Sequence, residues 1–293
     1  MESPLPFHRS TSDEPPPFAR IAIVGVGLIG GSIAMAVRQR WPSALVIGVD
    51  SKAVIERATV AHAIDVGADD LGLVSDAALI VLAAPVRANM NLLRQLPEYV
   101  SADAIITDVS STKRAIADIG RELSSRLRFV PGHPFAGAAV SGLQHARADL
   151  FENRPWFLCS SVNEDAVRRV EQFVRAVGAR PRLLDATAHD RLMAFLSHLP
   201  QLAVSALMEV VGDAVGEEGL ALAGRGLQDT TRLASSPAEI WTGICATNAD
   251  EIAEALDALI STLQELRSGL SADETMTRVF EAAQHWRATM PKA

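Results

Sequence analysis

The sequence predicts an α/β fold in two parts: a Rossmann-type, doubly wound and mostly parallel sheet, followed by an all-helical domain. Short buried strands alternate with helical segments from residue 19 to about residue 185, which is typical of a parallel sheet. A glycine-rich turn joins the first strand to the first helix. From Ala188 onward the periodicity is helical, and runs of β-branched residues almost disappear.

The composition is that of an enzyme-sized globular protein. The chain has 293 residues, 48% of them hydrophobic and 21% charged, which is enough for two domains. The net charge of -8 comes without long runs of either sign, so we expect neither a nucleic-acid nor a membrane partner. Cys159 and Cys245 lie far apart without metal-like spacing, which favours a cytoplasmic protein with no metal site. No apolar run is expected to span a membrane.

Three ranges divide the chain. Residues 1–18 contain five prolines at positions 4, 6 and 15–17 and no apolar core of signal-peptide length, so we predict a disordered tail. Residues 19–185 form the predicted sheet domain and residues 186–293 the helical domain. Breaks in the helical part are expected near residues 212–219, at residues 224–226 and at Pro237.

The glycine-rich turn has the spacing of a dinucleotide-binding site. An apolar run at residues 21–24 leads into Gly25, Gly27 and Gly30, with Leu28 and Ile29 between them, and then into a helix to about residue 40. The first glycine makes the tight turn, the second admits the pyrophosphate, and the third lets helix and strand approach closely. The free N–H groups at the start of the helix favour the phosphate charge.

An acidic residue follows the second predicted strand. Residues 45–49 are apolar and end in Asp50, twenty residues past Gly30. A carboxylate at this place hydrogen-bonds the ribose hydroxyls and repels a 2′-phosphate, so NAD is favoured as the cofactor. Lys52 lies close enough to offset the acid, which leaves NADP open.

Further strands are predicted at residues 79–83, 104–107, 127–130, 156–159 and 182–184. His133 follows the third of these between two prolines and two glycines. Ligands of open α/β sheets bind at the carboxyl ends of strands, and a histidine there is suited to take a proton. Ser110 and Ser111 follow another strand and are expected on the same rim. Taken alone, His133 is also explained as an ordinary loop histidine and the serines as helix caps.

Two segments of the helical domain carry polar groups in unusual places. Pro200 interrupts a strong helical pattern two residues after His198 and leaves the Leu196 carbonyl without its usual donor. This kink is explained equally well by a bent packing helix. Residues 224–232 supply a flexible loop with an arginine, whose planar fork suits a carboxylate.

A set of motifs in one order is far more specific than any one of them. These motifs are GVGLIGGS, LAAPV, DVSSTK, GHPFAG, HDRLMAFLSHLP and GLQDTTRLASSP followed by IW. With them, the chain resembles the prephenate and arogenate dehydrogenase family of tyrosine biosynthesis from Arg20 to about Leu266. The resemblance implies a homodimer formed by the helical domain. It also implies oxidative decarboxylation, in which the cyclohexadienol loses its hydroxyl proton, a hydride and carbon dioxide as the ring becomes aromatic.

The resemblance also implies roles for individual residues. His133 matches the histidine that accepts the hydroxyl proton, for which an ordinary histidine pKa would serve. Ser111 matches the serine beside it and Arg232 the arginine that binds the substrate carboxylate. Ser197 and His198 match pocket residues, and His198 is counted with the catalytic group. The expected cofactor contacts beyond the glycine turn and Asp50 are Ala84, Pro85, Val86 and Ser110.

Departures from the family pattern concern the substrate's side chain. Ala138 and Ala139 stand where many prephenate-using members have a hydroxyl residue and a glutamate, and Gln201 stands where they have a second histidine. Gln228 replaces a common basic residue, and Arg225 replaces a glycine. Prephenate carries a keto acid at this end and arogenate an amino acid, so the sequence leaves the choice open. The candidate substrate contacts are Ser197, Gln201, Ala139, Gln228, Asp229 and Trp241, although Trp241 is also typical of core packing.

Two other functions are weighed against this one. The β-hydroxyacid dehydrogenases share the two-domain plan but need a catalytic lysine near the domain junction, whereas the lysines here are Lys52, Lys113 and Lys292, all outside the opening helices of the helical domain. A regulator on a retired dehydrogenase scaffold would bind dinucleotide without turnover. The joint presence of His133, Ser111, His198 and Arg232 argues against it.

Overall fold

The computed structural model describes residues 15–136, 140–160 and 163–290. Most of the predicted tail, residues 1–14, and the candidate contact Ala139 lie outside the described residues. Phe18, the last residue assigned to the tail, belongs to the core instead. It is buried, its ring centroid lies 6.3 Å from that of Phe173, and the guanidinium of Arg169 lies 4.5 Å from its ring centroid.

Six parallel strands form the central sheet. They are β1 (Arg20–Val24), β2 (Leu45–Val49), β3 (Val66–Ala68), β4 (Leu79–Leu82), β5 (Ala104–Asp108) and β6 (Leu127–Val130), and the helices that connect them are α1 (Leu28–Arg40), α2 (Lys52–Val60), α3 (Val86–Tyr99) and α4 (Arg114–Arg121). The spatial order is β3-β2-β1-β4-β5-β6, that of a doubly wound dinucleotide-binding sheet. The predicted fold class is therefore confirmed. β3 was not predicted, because a three-residue strand with a central glycine gives no apolar run.

The central sheet is buried on both faces. Ile21 and Ile23 of β1 pack into one hydrophobic cluster, while Ala22 and Val24 pack into a second cluster. Since side chains alternate along a strand, the two clusters lie on opposite faces of the sheet. This burial explains why the strands are continuous apolar runs rather than alternating patterns.

His133 lies in a second, three-stranded sheet. The sequence did not predict this separate sheet. It consists of β7 (Gly132–Pro134), β8 (Pro155–Cys159) and β9 (Arg180–Leu184), with α5 (Glu164–Ala176) between the last two. β7 pairs antiparallel with β8, and β8 pairs parallel with β9. The expectation of a single sheet up to residue 185 was therefore wrong, and so was the alternative that His133 is an ordinary loop histidine. The pairing of His133 with Phe157 holds the histidine in a short strand.

From residue 186 onward the described chain is helical, as predicted, but the expected flexible loop at residues 224–232 is wrong, because residues 225–231 form a helix. The helices of this part are α6 (Ala186–Met193), α7 (Leu199–Leu220), α8 (Arg225–Thr231), α9 (Ala238–Thr247), α10 (Ala249–Ser268) and α11 (Asp273–Thr289). α8 begins after Gly224 and α9 after Pro237, close to the predicted breaks. The break near residues 212–219 is confined to Gly216, whose φ of 63° is not helical.

One helical segment is long and apolar enough to cross a membrane, by length and composition alone. It runs over Ala186–Leu220, has a mean hydropathy of 1.4 in its most apolar window, and is only 17% buried there. The expectation that no apolar run has this length was therefore wrong. Its exposed apolar side chains include Leu196, Leu207 and Val210. An apolar face of this size needs a cover.

Candidate active site

The three glycines of the turn have separate structural reasons. Gly25 has a φ of 96°, and a Cβ there would lie 2.7 Å from the Ala83 carbonyl carbon. A Cβ at Gly30 would lie 1.9 Å from the Gly25 carbonyl oxygen. A Cβ at Gly27 would meet nothing within 4 Å, so this glycine faces open space. Gly25 and Gly30 are thus needed to build the turn, and Gly27 leaves room beside the N-terminus of α1, as a bound pyrophosphate requires.

A cavity of about 360 Å³ adjoins this turn. Its lining includes the predicted cofactor contacts Gly27, Leu28, Ile29, Ala84, Pro85, Val86 and Ser110. Asp50 accepts a hydrogen bond from the Val26 N–H at 2.8 Å, which holds its carboxylate beside the turn. The Lys52 ammonium lies 3.6 Å from the Asp69 carboxylate and therefore pairs with Asp69 rather than with Asp50. The residues present therefore fit a dinucleotide.

Asn89 of α3 is a residue of this region that the sequence analysis missed. Its side chain is buried, accepts from the Ala84 N–H at 3.0 Å, and donates to the Ser110 hydroxyl at 2.9 Å. It therefore ties together the two loops that line the cofactor cavity. An asparagine within an amphipathic helix gives no sequence signal of this role.

A second cavity of about 480 Å³ lies between β7, the kinked helix and α9. The predicted residues that line it are Ser111, His133, Ser197, Gln201, Arg232 and Trp241. Ser111, Ala136 and Ile240 line both cavities. A substrate beside His133 would therefore lie next to the dinucleotide site.

The kink forms as a π-helical turn. Residues Ala194–His198 form this turn, and the Leu199 N–H donates to the Ala194 carbonyl five residues earlier. Pro200 has no N–H to continue the regular pattern, so the change in helix type is its direct consequence. The turn places Ser197 at the second cavity and buries His198.

Three predicted residues do not line the cavity. His198 is buried against Trp241, with ring centroids 6.0 Å apart, and its Nδ1 lies 3.3 Å from the Asn248 side-chain nitrogen. Gln228 and Asp229 are exposed on α8, and the Gln228 amide donates to the Ala223 carbonyl at 3.2 Å. The structure thus places His198 behind the cavity wall and the α8 pair outside it.

A buried ion pair supports the strand that carries His133. The Lys113 ammonium is fully buried and donates at 2.6 Å both to Asp108 and to the Gly132 carbonyl. The other Asp108 oxygen accepts from the Gly132 N–H at 2.9 Å. Both backbone polar groups of Gly132 are therefore held by one ion pair, which fixes the position of the next residue, His133.

A chain of three buried side chains leads away from His133. His133 Nδ1 lies 2.9 Å from His189 Nε2, and His189 Nδ1 lies 2.8 Å from Asp190 Oδ1. Asp190 also accepts from the backbone N–H groups of Lys113 at 2.7 Å and Arg114 at 2.9 Å. His189 and Asp190 stand in one of the motifs above, but neighbouring polar residues on a helix give no sign that they face a strand 56 positions away.

Arg114 connects the sheet domain to the helical domain. Its side chain donates to Asp190 of α6 at 3.4 Å, to Asn248 at 2.7 Å and to Asp250 of α10 at 2.7 Å. The hydrogen bonds from Arg114 lower the pKa of Asp250 to about 2. The Asn248 amide also donates to the Asp190 carbonyl at 2.9 Å. The junction between the domains is therefore held by charged and polar contacts.

The histidines at this junction titrate below their ordinary range. Burial, and then the charges of His189, Lys113 and His198, lower the pKa of His133 well below 6.5. Burial also lowers the pKa of His189, against the hydrogen bond to Asp190, and lowers the pKa of His198 to about 4. An ordinary histidine pKa would serve for a base, but the structure lowers the pKa of His133 because it buries the ring. The ring is consequently neutral at pH 7 and able to accept a proton.

Two family models match consecutive parts of the chain. The model of the prephenate dehydrogenase nucleotide-binding domain matches residues 33–183. The model of the prephenate dehydrogenase dimerization domain matches residues 185–285.

Individual proteins are similar over almost the same length. A prephenate dehydrogenase of Bacillus subtilis is 31% identical over 281 residues, which cover 92% of this chain and 76% of that protein. Among solved structures, prephenate dehydrogenase from Aquifex aeolicus in complex with hydroxyphenyl propionate and NAD⁺ has a TM-score of 0.85 at 26% identity, covering 92% of this chain and 98% of that one. Arogenate dehydrogenase from Synechocystis has a TM-score of 0.77 at 28% identity, with 92% and 99% covered.

Proposed function

The chain belongs to the prephenate dehydrogenase family, and from that premise we propose that it carries out the oxidative decarboxylation of a cyclohexadienol, prephenate or arogenate, with NAD⁺. The observation that carries the proposal is the placement of His133 and Arg232 on the walls of one cavity. A neutral base and an unpaired cation are the groups that this reaction requires, one for the hydroxyl proton and one for the carboxylate.

The residues of the chain divide the work of the reaction. Bound NAD⁺ would supply the hydride acceptor. His133 takes the hydroxyl proton of the substrate as the ring carbon that bears the hydroxyl is oxidised. Arg232 holds the ring carboxylate until it leaves as carbon dioxide, and the electrons of the broken carbon–carbon bond complete the aromatic ring. Ser111 lines both cavities and orients the hydroxyl between them, while Ser197 and Trp241 shape the wall.

The direct test is NADH formation with prephenate and with arogenate, measured side by side on the purified protein. We expect turnover with at least one of them and none in His133→Asn beyond a residual rate. A protein that binds NAD⁺ but turns over neither substrate would instead be a dinucleotide-binding regulator on this scaffold.

The charges in the cavity favour arogenate over prephenate. Arg232 is the charged side chain among the described residues that line it, and Gln201 is neutral. Prephenate carries two carboxylates, so one of them would face only neutral groups, which is unfavourable in a partly dry site. The side chain of arogenate is a zwitterion without net charge. We expect Gln201→His to improve kcat/KM for prephenate relative to arogenate, and an unchanged ratio would count against this assignment.

Asp50 sets the cofactor preference in this proposal. Its carboxylate lies at the end of β2 and accepts from the backbone of the glycine turn, so a 2′-phosphate there would meet a negative charge. NAD⁺ is the expected cofactor, and Asp50→Ala should narrow its advantage over NADP⁺. A strong preference of the unmodified protein for NADP⁺ would contradict this role.

The helical domain, residues 186–293, forms a homodimer in this proposal. The most apolar window of the segment Ala186–Leu220 is only 17% buried in a single chain, and the family model of a dimerization domain supports a second copy as its cover. Residues 19–185 remain the dinucleotide-binding part, and the cytoplasm remains the proposed location, without a membrane or nucleic-acid partner. Sedimentation should show a dimer at micromolar concentration without detergent, and a stable monomer would refute it.

A further inference from the structure

We propose that His189 and Asp190 are positioning residues that fix which ring nitrogen of His133 faces the substrate, an inference that rests on the proposed function. The two residues touch neither cavity and act through His133. The three side chains are buried in one continuous row, with His133 8% exposed and the other two fully covered. Solvent therefore cannot replace the hydrogen bonds within the row.

The direction of each hydrogen bond in the row follows from the carboxylate of Asp190, at the end away from the cavity. An ionised carboxylate only accepts, so the bond of 2.8 Å between His189 and Asp190 requires a proton on His189 Nδ1. A neutral His189 then has a bare Nε2, which accepts across the 2.9 Å to His133. His133 must therefore carry its proton on Nδ1. Its Nε2 is left with a free lone pair toward the cavity.

Asp190 is held so firmly that the row has one arrangement. Burial opposes the charged form of Asp190, but hydrogen bonds from His189 and from the backbone of Arg114 and Lys113 outweigh it and lower the pKa of this carboxyl. Both of its oxygens accept from N–H groups at the start of α4, one from each residue. The carboxylate consequently cannot rotate or protonate without losing backbone partners.

This arrangement serves the proton transfer of the proposed reaction. The substrate hydroxyl gives its proton to His133 Nε2, and the Nδ1 proton stays in place, so the ring becomes a cation. That cation donates to His189, whose other nitrogen donates to the Asp190 charge. If His133 instead carried its proton on Nε2, the base would have no lone pair for the substrate. Control of the tautomer by the partner of the other nitrogen is a general property of catalytic histidines.

The tautomer of His133 can be measured without any reaction. In protein labelled with ¹⁵N-histidine, proton–nitrogen correlation spectra distinguish a proton on Nδ1 from one on Nε2, and His133→Asn identifies the relevant signals. We expect His133 in the unmodified protein to carry its proton on Nδ1 at neutral pH. A proton on Nε2 would overturn the proposal, even if every variant of His189 failed to fold.

Two substitutions of His189 separate positioning from packing. His189→Leu removes the acceptor, so we expect a mixed or reversed tautomer of His133 and a kcat lowered roughly 10²-fold, with KM within about twofold; loss of tautomer control in a serine-protease triad costs about 10⁴-fold. His189→Gln retains an oxygen acceptor and should restore the Nδ1 tautomer and most of kcat. His145→Leu, at an exposed histidine, is the matched control.

The outcomes distinguish this inference from the proposed function. If His189→Leu leaves both the tautomer and kcat unchanged, or if His189→Gln loses as much kcat as His189→Leu, the positioning role is refuted. If the unmodified protein turns over neither prephenate nor arogenate, the proposed function fails. The spectra would still decide the tautomer in that case.

Discussion

The two sides of the substrate cavity differ in how much of their polar surface is already paired. On the base side, His133, His189 and Asp190 are buried and joined by hydrogen bonds at 2.8–2.9 Å. Elsewhere in the lining, on the arginine side, Arg232 is exposed, and among the described residues its guanidinium takes part in no hydrogen bond or ion pair.

This difference matches what each side has to do. A group that acts in the transition state gains from being held in place beforehand, because no reorganisation is then needed during the reaction. A group that binds a carboxylate gains from being unpaired, because the substrate need not displace another anion. The segment that carries Arg232 is nevertheless anchored, since the Gln201 amide donates to the Leu233 carbonyl at 2.8 Å.

The largest expected effect comes from replacing His133, the base. His133→Asn should lower kcat about 10²- to 10⁴-fold and leave KM nearly unchanged, because a general base acts mainly in the transition state. Binding of NAD⁺, followed by titration of protein fluorescence, should be unaffected. A large rise in KM with kcat retained would mean that His133 binds the substrate instead.

The same residue predicts the pH dependence. Burial lowers the pKa of His133 below 6.5, and the base works only when it is unprotonated. We therefore expect kcat/KM to be at its full value above pH 6.5 and to decrease as the pH falls through the lowered pKa of His133. An acid limb centred at or above pH 6.5 would show that the ring is not buried in solution.

Removing one partner of the buried ion pair between Lys113 and Asp108 tests how much this pair contributes to stability. Lys113→Met leaves Asp108 buried without its cation and should lower the free energy of unfolding by about 3–5 kcal/mol. Lys52→Met, at a side chain that is 82% exposed, is the control and should change it by less than about 1 kcal/mol. Urea denaturation of both variants measures the difference. Equal decreases in the free energy of unfolding would contradict the expectation that the buried ion pair matters more than the exposed one.

The open side should fail in binding rather than in rate. Arg232→Ala should raise KM roughly ten- to a hundredfold, as expected for loss of a charged hydrogen bond of about 1.5–3 kcal/mol. Arg225→Ala, exposed and away from the cavity, is the matched control. If Arg232→Ala lowered only kcat, the carboxylate would have to be bound elsewhere.

The smallest effect concerns the exposed partner of Arg114. Asp250 is 66% exposed, whereas Asp190, which binds the same guanidinium, is buried. Asp250→Ala should therefore cost less than about 1 kcal/mol of unfolding free energy, as surface ion pairs do, and leave kcat unchanged. A loss as large as that of Lys113→Met would show that exposure does not set the value of these pairs.

Local patterns predicted most of the elements, but not the short strands β3 and β7. The spacing of Gly25, Gly27 and Gly30 predicted a turn that the structure forms, and six of the ten predicted catalytic and substrate-contact residues, His133 and Arg232 among them, line one cavity. Gln228 and Asp229 do not line the cavity, because they are exposed on α8, which ends before Arg232. His198 does not line the cavity, because it is buried against Trp241 and Asn248.

The sequence by itself determined the type and order of most elements, because helical and strand periodicity, glycine turns and proline breaks act over a few residues. Only the tertiary structure decided the partners of the buried and partly buried polar groups. The contacts of His133 with His189, of Lys113 with Gly132, and of Arg114 with Asn248 join residues 56, 19 and 134 positions apart. A buried polar group must find a partner wherever the fold brings one, and sequence spacing carries no record of that meeting.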